Sequence, residues 1–145
     1  MRALLDVNIL IALLDADHVM HGQAMSWLER ELRHGWASCP LTENGVIRIM
    51  SHPAYPNTRP SATVAERLAE ACASPDHEFW PEDVSLFAPR LIDWDRILGH
   101  RQVTDAYLLA LAVRHGGRLV TFDRRIRPDA VSGAREEHLV TLSAA

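Results

Sequence analysis

At 145 residues, with 48% hydrophobic and 23% charged side chains, the chain has the size and composition of one globular domain, and no apolar run reaches the ~20 residues of a membrane helix. All 15 basic residues are arginine, which excludes a P-loop lysine, a Schiff-base lysine and a Ser–Lys dyad and leaves planar guanidinium groups to hold any phosphate. A net charge of −4 argues against a merely basic nucleic-acid surface, but setting four carboxylates aside as one site leaves the remainder neutral.

Arg2–Leu5 reads as a short buried strand, too apolar to alternate. Asn8–Leu14 continues as a buried helix, with Asp6 or Asn8 available as its cap. Met25, Leu28 and Leu32 recur at helical spacing and predict a second helix over His18–His34, closed by Gly35. Trp36–Cys39 is a second strand, stopped by Pro40, and Thr42 caps a helix that runs to Met50. Pro53, Pro56 and Pro60 make the next segment a loop. Val64, Leu68 and Ala71 then predict a helix over Ser61–Cys72, and His77–Trp80 predicts a short strand.

Glu82–Ala88 is expected to be a short helix, and residues 89–103 carry no clear pattern. Thr104 is placed as the cap of an apolar helix ending at Gly116-Gly117, followed by a strand at Leu119–Phe122. After a polar stretch, Leu139–Leu142 is a last strand. Alternating strands and helices predict an α/β fold, with parallel units in three α/β/α layers around a mostly parallel sheet of about four or five strands, in one domain spanning 1–145. Cys39 and Cys72 lack CxxC spacing and the N-terminus lacks a signal peptide, so a cytoplasmic protein with reduced thiols and no membrane partner is expected.

Four acids fall where such a fold gathers its ligands, beyond the carboxyl ends of the strands. Asp6 and Asp123 follow predicted strands, and Glu43 and Asp105 sit near predicted helix starts. Singly, each has a bland explanation as a helix cap or first-turn acid. Jointly, clustered carboxylates repel one another unless a cation or proton intervenes. An oxygen-only set favours Mg²⁺ (or Mn²⁺) over zinc. The eight histidines show no zinc spacing beside other ligands. Of the four tryptophans, Trp27 lies on an apolar helix face and Trp94 is the candidate for stacking on a base.

The strings LLDVNILIALLD, LTENGVIRIMSHP, QVTDAYLLALAVRHGG and RLVTFDRR, in that order, resemble the motifs of PIN-domain nucleases, most closely the VapC-type toxins of bacterial toxin–antitoxin pairs. HVMHGQAMSWLE fits the second helix of that family, so the resemblance runs from Arg2 to Leu142, with little signal between His52 and Ile97. It implies Asp6, Glu43, Asp105 and Asp123 as the catalytic and metal-binding quartet. Asn8 and Thr121 would be polar companions, with Arg124 beside them for substrate; Arg125, Arg48 and Arg59 are further basic candidates. The implied activity is endoribonucleolytic hydrolysis of RNA by metal-activated water. The implied partners are a cognate antitoxin, docked on the N-terminal helices, and a second copy in a homodimer. Rival readings are a non-catalytic RNA- or protein-binding domain of the same fold, and another Mg-dependent phosphoesterase.

Overall fold

The computed structural model describes residues 1–143, so the last two residues of the expected 1–145 span lie outside the described part. Five strands, β1 (Ala3–Leu5), β2 (Trp36–Ser38), β3 (His77–Phe79), β4 (Arg118–Thr121) and β5 (Leu139–Thr141), form one sheet in the order β3-β2-β1-β4-β5. All four pairings are parallel. Helices α1 (Val7–Leu14), α2 (His21–Glu31), α3 (Pro40–Met50), α4 (Ser61–Cys72) and α5 (Arg101–Arg114) supply the two outer layers.

Alternation along the strands divides the core in two. Leu4, Ala37 and Leu119 face one layer, where Leu108, Leu109 and Leu111 of α5 pack with Trp80 and Ile126. Ala3, Leu5, Trp36 and Val120 face the other, against Ile9, Trp27, Val46, Val64 and Leu68 from α1 to α4. The central strands are thus buried on both faces, which is why they read as continuous apolar runs. None of the described helices is long and apolar enough to cross a membrane. Cys39 is buried, Cys72 partly so, and both are free thiols.

Two helix starts differ from expectation. α3 begins at Pro40, with Cys39 at the cap position; Pro is pre-organised for the first helical residue, where no N–H partner is required. Thr42 instead reaches back, its Oγ1 accepting from the Cys39 N–H at 3.0 Å. α5 begins at Arg101, three residues before Thr104, with His100 at the cap position. Asp105 therefore lies beyond the first turn. The expected helix over 82–88 is absent; Val84 and Leu86 lie instead in irregular chain packed on the α5 side of the core.

Two glycines fix local geometry. Gly35, at φ 74°, ends the second helical stretch in a conformation that strains residues with a Cβ, and the Arg2 guanidinium packs where that Cβ would stand. Gly45 lets α3 close on α1, since a Cβ there would stand 2.7 Å from Val7 Cγ2, next to Asp6.

Candidate functional site

The parallel register sets Leu5 beside Val120, so the next residues of both strands emerge together at the carboxyl edge of the sheet. Asp6 caps α1: its Oδ1 accepts from the Val7 N–H at 2.7 Å, and its Oδ2 accepts from the Thr121 hydroxyl at 2.7 Å. Thr121, wholly buried, is the hub of the edge. Its Oγ1 also accepts from the Asp123 N–H at 3.0 Å and from Asn8 Nδ2 at 3.3 Å, while Asn8 Oδ1 accepts from the Phe122 N–H at 3.2 Å. Asn8 and Thr121, expected as polar companions, thus tie the ends of β1 and β4 into one rigid corner.

Asp123 is held from the other side. Arg125 donates through Nε to Oδ1 and through Nη2 to Oδ2, each at 3.1 Å, and its N–H donates to Oδ1 at 2.8 Å. This fork keeps the Asp123 carboxyl below the usual carboxylate range. Burial pushes Asp6 upward, against the hydrogen bonds from Thr121 and Val7, and the charge of Asp123 adds to the rise. Asp105 is pushed up to about 7, first by burial and then by the charges of Asp6 and Asp123. Arg125 opposes that rise, and no hydrogen bond relieves it. Burial is the larger cause of both rises, and the charges that add to it place Asp6, Asp105 and Asp123 within electrostatic reach of one another.

The donor chemistry fits a hard divalent cation. Asp6, Asp105 and Asp123 are oxygen donors near enough to act on one another's ionisation, and burial, with the charges of Asp6 and Asp123 adding to it, holds Asp105 near neutral pH; a cation would offset the charge part.

Glu43 sits in the first turn of α3, on the same sheet edge, but its carboxylate turns elsewhere. Its Oε2 accepts from the Ser38 hydroxyl at 2.7 Å, and His77 Nε2 lies 2.8 Å from the same hydroxyl oxygen. Among the described residues, Glu43, Cys72 and His77 are the one trio of His, Cys, Asp or Glu whose ligand atoms all lie within 4.8 Å of one another. The fold therefore sets three of the four expected acids within electrostatic reach of one another, though not as closely as that trio, and turns the fourth into a second polar cluster.

Arg124 is exposed, and it is the next residue, Arg125, that grips the site. A cleft beside the aspartates is lined by Arg96, Gln102, Asp105, Arg125 and Arg127. Trp27, Trp36 and Trp80 are buried, whereas Trp94 is 48% exposed on a short 3₁₀ turn next to Arg96. Arg48, on α3, and Arg59, in the proline-rich loop, are exposed away from this cleft. Sequence reading missed the grouping of Ser38, Cys72 and His77 around Glu43. No local spacing signals it, because only the pairing of β3 with β2 brings His77 to Ser38.

Residues 3–128 match the family model of the PIN domain. Ribonuclease VapC44 of Mycobacterium tuberculosis (strain ATCC 25618 / H37Rv) is 51% identical over 142 residues, covering 98% of this chain and all of the relative. Ribonuclease VapC39 of the same strain is 44% identical over 138 residues, covering 94% of this chain and 99% of the relative. The crystal structure of VapBC2 from Rickettsia felis bound to a DNA fragment from their promoter shares the fold, with a TM-score of 0.62 at 11% identity, over 99% of this chain and 98% of that one.

Proposed function

The chain belongs to the PIN-domain family, and from that membership we propose that it is a metal-dependent endoribonuclease, the toxin of a type II toxin–antitoxin pair. Its substrate is RNA and its place of action is the cytoplasm, with residues 1–145 acting as one nuclease domain. The placing of Asp6 and Asp123 at the carboxyl edge of the sheet, within electrostatic reach of Asp105, is the observation that carries the catalytic assignment. The near-full-length likeness to proteins named ribonucleases supports the substrate class.

In this reading Asp6, Asp105 and Asp123 hold the divalent ion, Mg²⁺ (or Mn²⁺) given oxygen-only donors, and Glu43 completes the set by turning from Ser38. When bound, the ion lowers the pKa of a water and draws off charge developing on the phosphate. The chain's own residues do the rest. Thr121 fixes the Asp6 carboxylate through Oγ1, and Asn8 fixes the backbone at Phe122. Asp105, whose proton is held by burial and by the charges of Asp6 and Asp123, would have to ionise to serve as a ligand, and a cation would offset the charge part of that cost. Arg125 can exchange Asp123 for a phosphate oxygen without losing its bidentate geometry. Arg96 and Arg127 line the same cleft, and Trp94 offers a face on which an unpaired base stacks.

The antitoxin is read onto the depression of about 250 Å³ that includes Leu10, Leu13, Leu14, Met25, Leu28 and Leu32, on the N-terminal helices. The toxin itself is read as a homodimer.

The deciding experiment compares wild type with Asp6→Asn and Asp105→Asn on RNA, DNA and a small phosphomonoester. Loss of RNA cleavage in both variants, with circular dichroism unchanged, is expected. Full RNA cleavage by either variant, or by wild type in excess EDTA, refutes the proposal.

A further inference from the structure

Beside the aspartates lies a cluster of different chemistry. Glu43 comes from the first turn of α3, Cys72 from the end of α4 and His77 from the start of β3. All three converge on Ser38, a fully buried residue at the end of β2. The Ser38 hydroxyl donates its one proton to Glu43 at 2.7 Å, while His77 Nε2 lies 2.8 Å and Cys72 Sγ 3.8 Å from the same oxygen. With that proton on the Glu43 side, His77 Nε2–H donates to the Ser38 oxygen, the tautomer whose lone pair lies on Nδ1. Trp36 packs against the His77 ring at 4.5 Å and sets its orientation. A cavity of about 380 Å³ between α3 and α4, lined by Glu43, Ile47, Ala65, Ala69 and Cys72, opens onto the cluster.

We propose that Glu43, Cys72 and His77 form a second metal site, selective for zinc-class ions, whose occupation holds Glu43 away from the aspartates. The donor set decides the selectivity. Sulfur, nitrogen and oxygen together suit a borderline-soft ion in tetrahedral geometry and are poor partners for Mg²⁺. The ligand atoms, already within 4.8 Å of one another, would close to roughly 3.3–3.8 Å in tetrahedral zinc coordination, which side-chain rotation can supply. Burial holds His77 below its ordinary value, which favours the neutral ring, and a change of tautomer or a ring turn would present its lone pair to a metal. Burial holds the Cys72 thiol up, so metal entry must displace its proton. Ser38 then remains as an outer hydrogen-bond donor to a ligand oxygen. The consequence for activity rests on the ribonuclease reading: an ion here keeps Glu43 on the Ser38 side and leaves the nuclease site one carboxylate short.

Cobalt(II) titration of the full chain tests the site directly. Wild type and Asp105→Asn should show the thiolate-to-cobalt charge-transfer band with tetrahedral visible bands. Cys72→Ser should lose the charge-transfer band, and stoichiometric zinc, but not excess Mg²⁺, should abolish it in wild type. His77→Gln should weaken zinc binding by about tenfold or more. A charge-transfer band that is absent, or unchanged in Cys72→Ser, overturns the site; Cys72→Ser is nearly isosteric, and circular dichroism checks its fold. For the regulatory half, equimolar zinc should reduce Mg²⁺-supported RNA cleavage about tenfold in wild type and leave Cys72→Ser active. Equal inhibition of both overturns that half. Should no RNA be cleaved under any condition, the ribonuclease reading falls while the cobalt spectra still decide the metal site.

Discussion

Replacing Asp105 by Asn should make the metal-free protein more stable at neutral pH. Asp105 is raised to about 7 from an ordinary value of 3.8 by burial and by the charges of Asp6 and Asp123. The unfolded chain therefore ionises this group from about pH 4 upward, while the folded chain retains the proton until about pH 7. Across that window the folded state binds more protons, so stability falls as pH rises, then levels off once both states are ionised. Three units at ~1.4 kcal/mol each set an upper bound of ~4 kcal/mol, which solvent screening of this partly exposed group reduces to roughly 1–2 kcal/mol. For a chain of this length that corresponds to a melting temperature about 3–8 °C higher in Asp105→Asn at pH 7.5 in EDTA. Thermal scans from pH 4 to 8 on both proteins measure it. The difference should be near zero at pH 4, grow towards pH 7 and then hold. Mg²⁺ should raise the wild-type midpoint more than that of the variant, because binding to the folded state alone stabilises it. A variant that melts at or below wild type at pH 7.5 in EDTA, or that tracks wild type in parallel from pH 4 to 7, would refute the claim that burial and like charge strain this corner.

Thr121→Val removes the donor to Asp6 and the acceptor for Asn8 and the Asp123 N–H; about 1–3 kcal/mol of stability should go by urea denaturation, RNA cleavage should fall with it, and Thr121→Ser should restore most of both. Arg125→Ala removes the cation paired with Asp123, so Mn²⁺ should bind several-fold tighter by calorimetry while KM for RNA rises. Binding of Mg²⁺ at pH 7 should release about half a proton from Asp105, detectable in buffers of different ionisation enthalpy; the release should vanish by pH 9 and in Asp105→Asn. Gly45→Ala places a methyl 2.7 Å from Val7 Cγ2, and strain of about 1–3 kcal/mol should outweigh the ~1 kcal/mol gain in helix propensity, giving a net loss of stability in a thermal scan.

Much of the frame is legible in the chain because its signals are local. Ala3–Leu5 and Arg118–Thr121 are strands buried on both faces, and apolar runs ending in an acid announce them. The parallel register then dictates that Asp6 and Asp123 share an edge, so this half of the site follows from strand order alone. Helix starts were less legible. Thr42 and Thr104 are good capping residues by type, yet the helices begin two and three residues earlier, at Pro40 and Arg101, because capping preference is weaker than continuous helical geometry upstream. The segment from Glu82 to Ala88 shows the opposite error: no helix forms there, and Val84 and Leu86, two residues apart, both pack on the core from irregular chain. The orientation of Glu43 was beyond sequence altogether. It depends on a hydroxyl in β2 and an imidazole in β3, residues far apart in the chain whose meeting is a property of sheet order.

The three aspartates are alike in type and differ in how they are held, and that difference orders their roles. Asp6 is the most constrained: a helix N–H and a buried hydroxyl fix both of its oxygens, so burial raises its pKa without freeing its position. Asp123 keeps its charge because Arg125 matches it with a planar fork, and that charge helps to push Asp105 upward. Asp105, raised by burial and then by the charges of Asp6 and Asp123 with no hydrogen bond to offset them, is where a bound cation would change the protonation state most. Glu43, tethered by the Ser38 hydroxyl, can change partners by rotating its side chain. On the proposed reading, two fixed acids, one acid raised by burial and like charge, and one movable acid would couple cation binding to local stability, so the two would measure the same quantity.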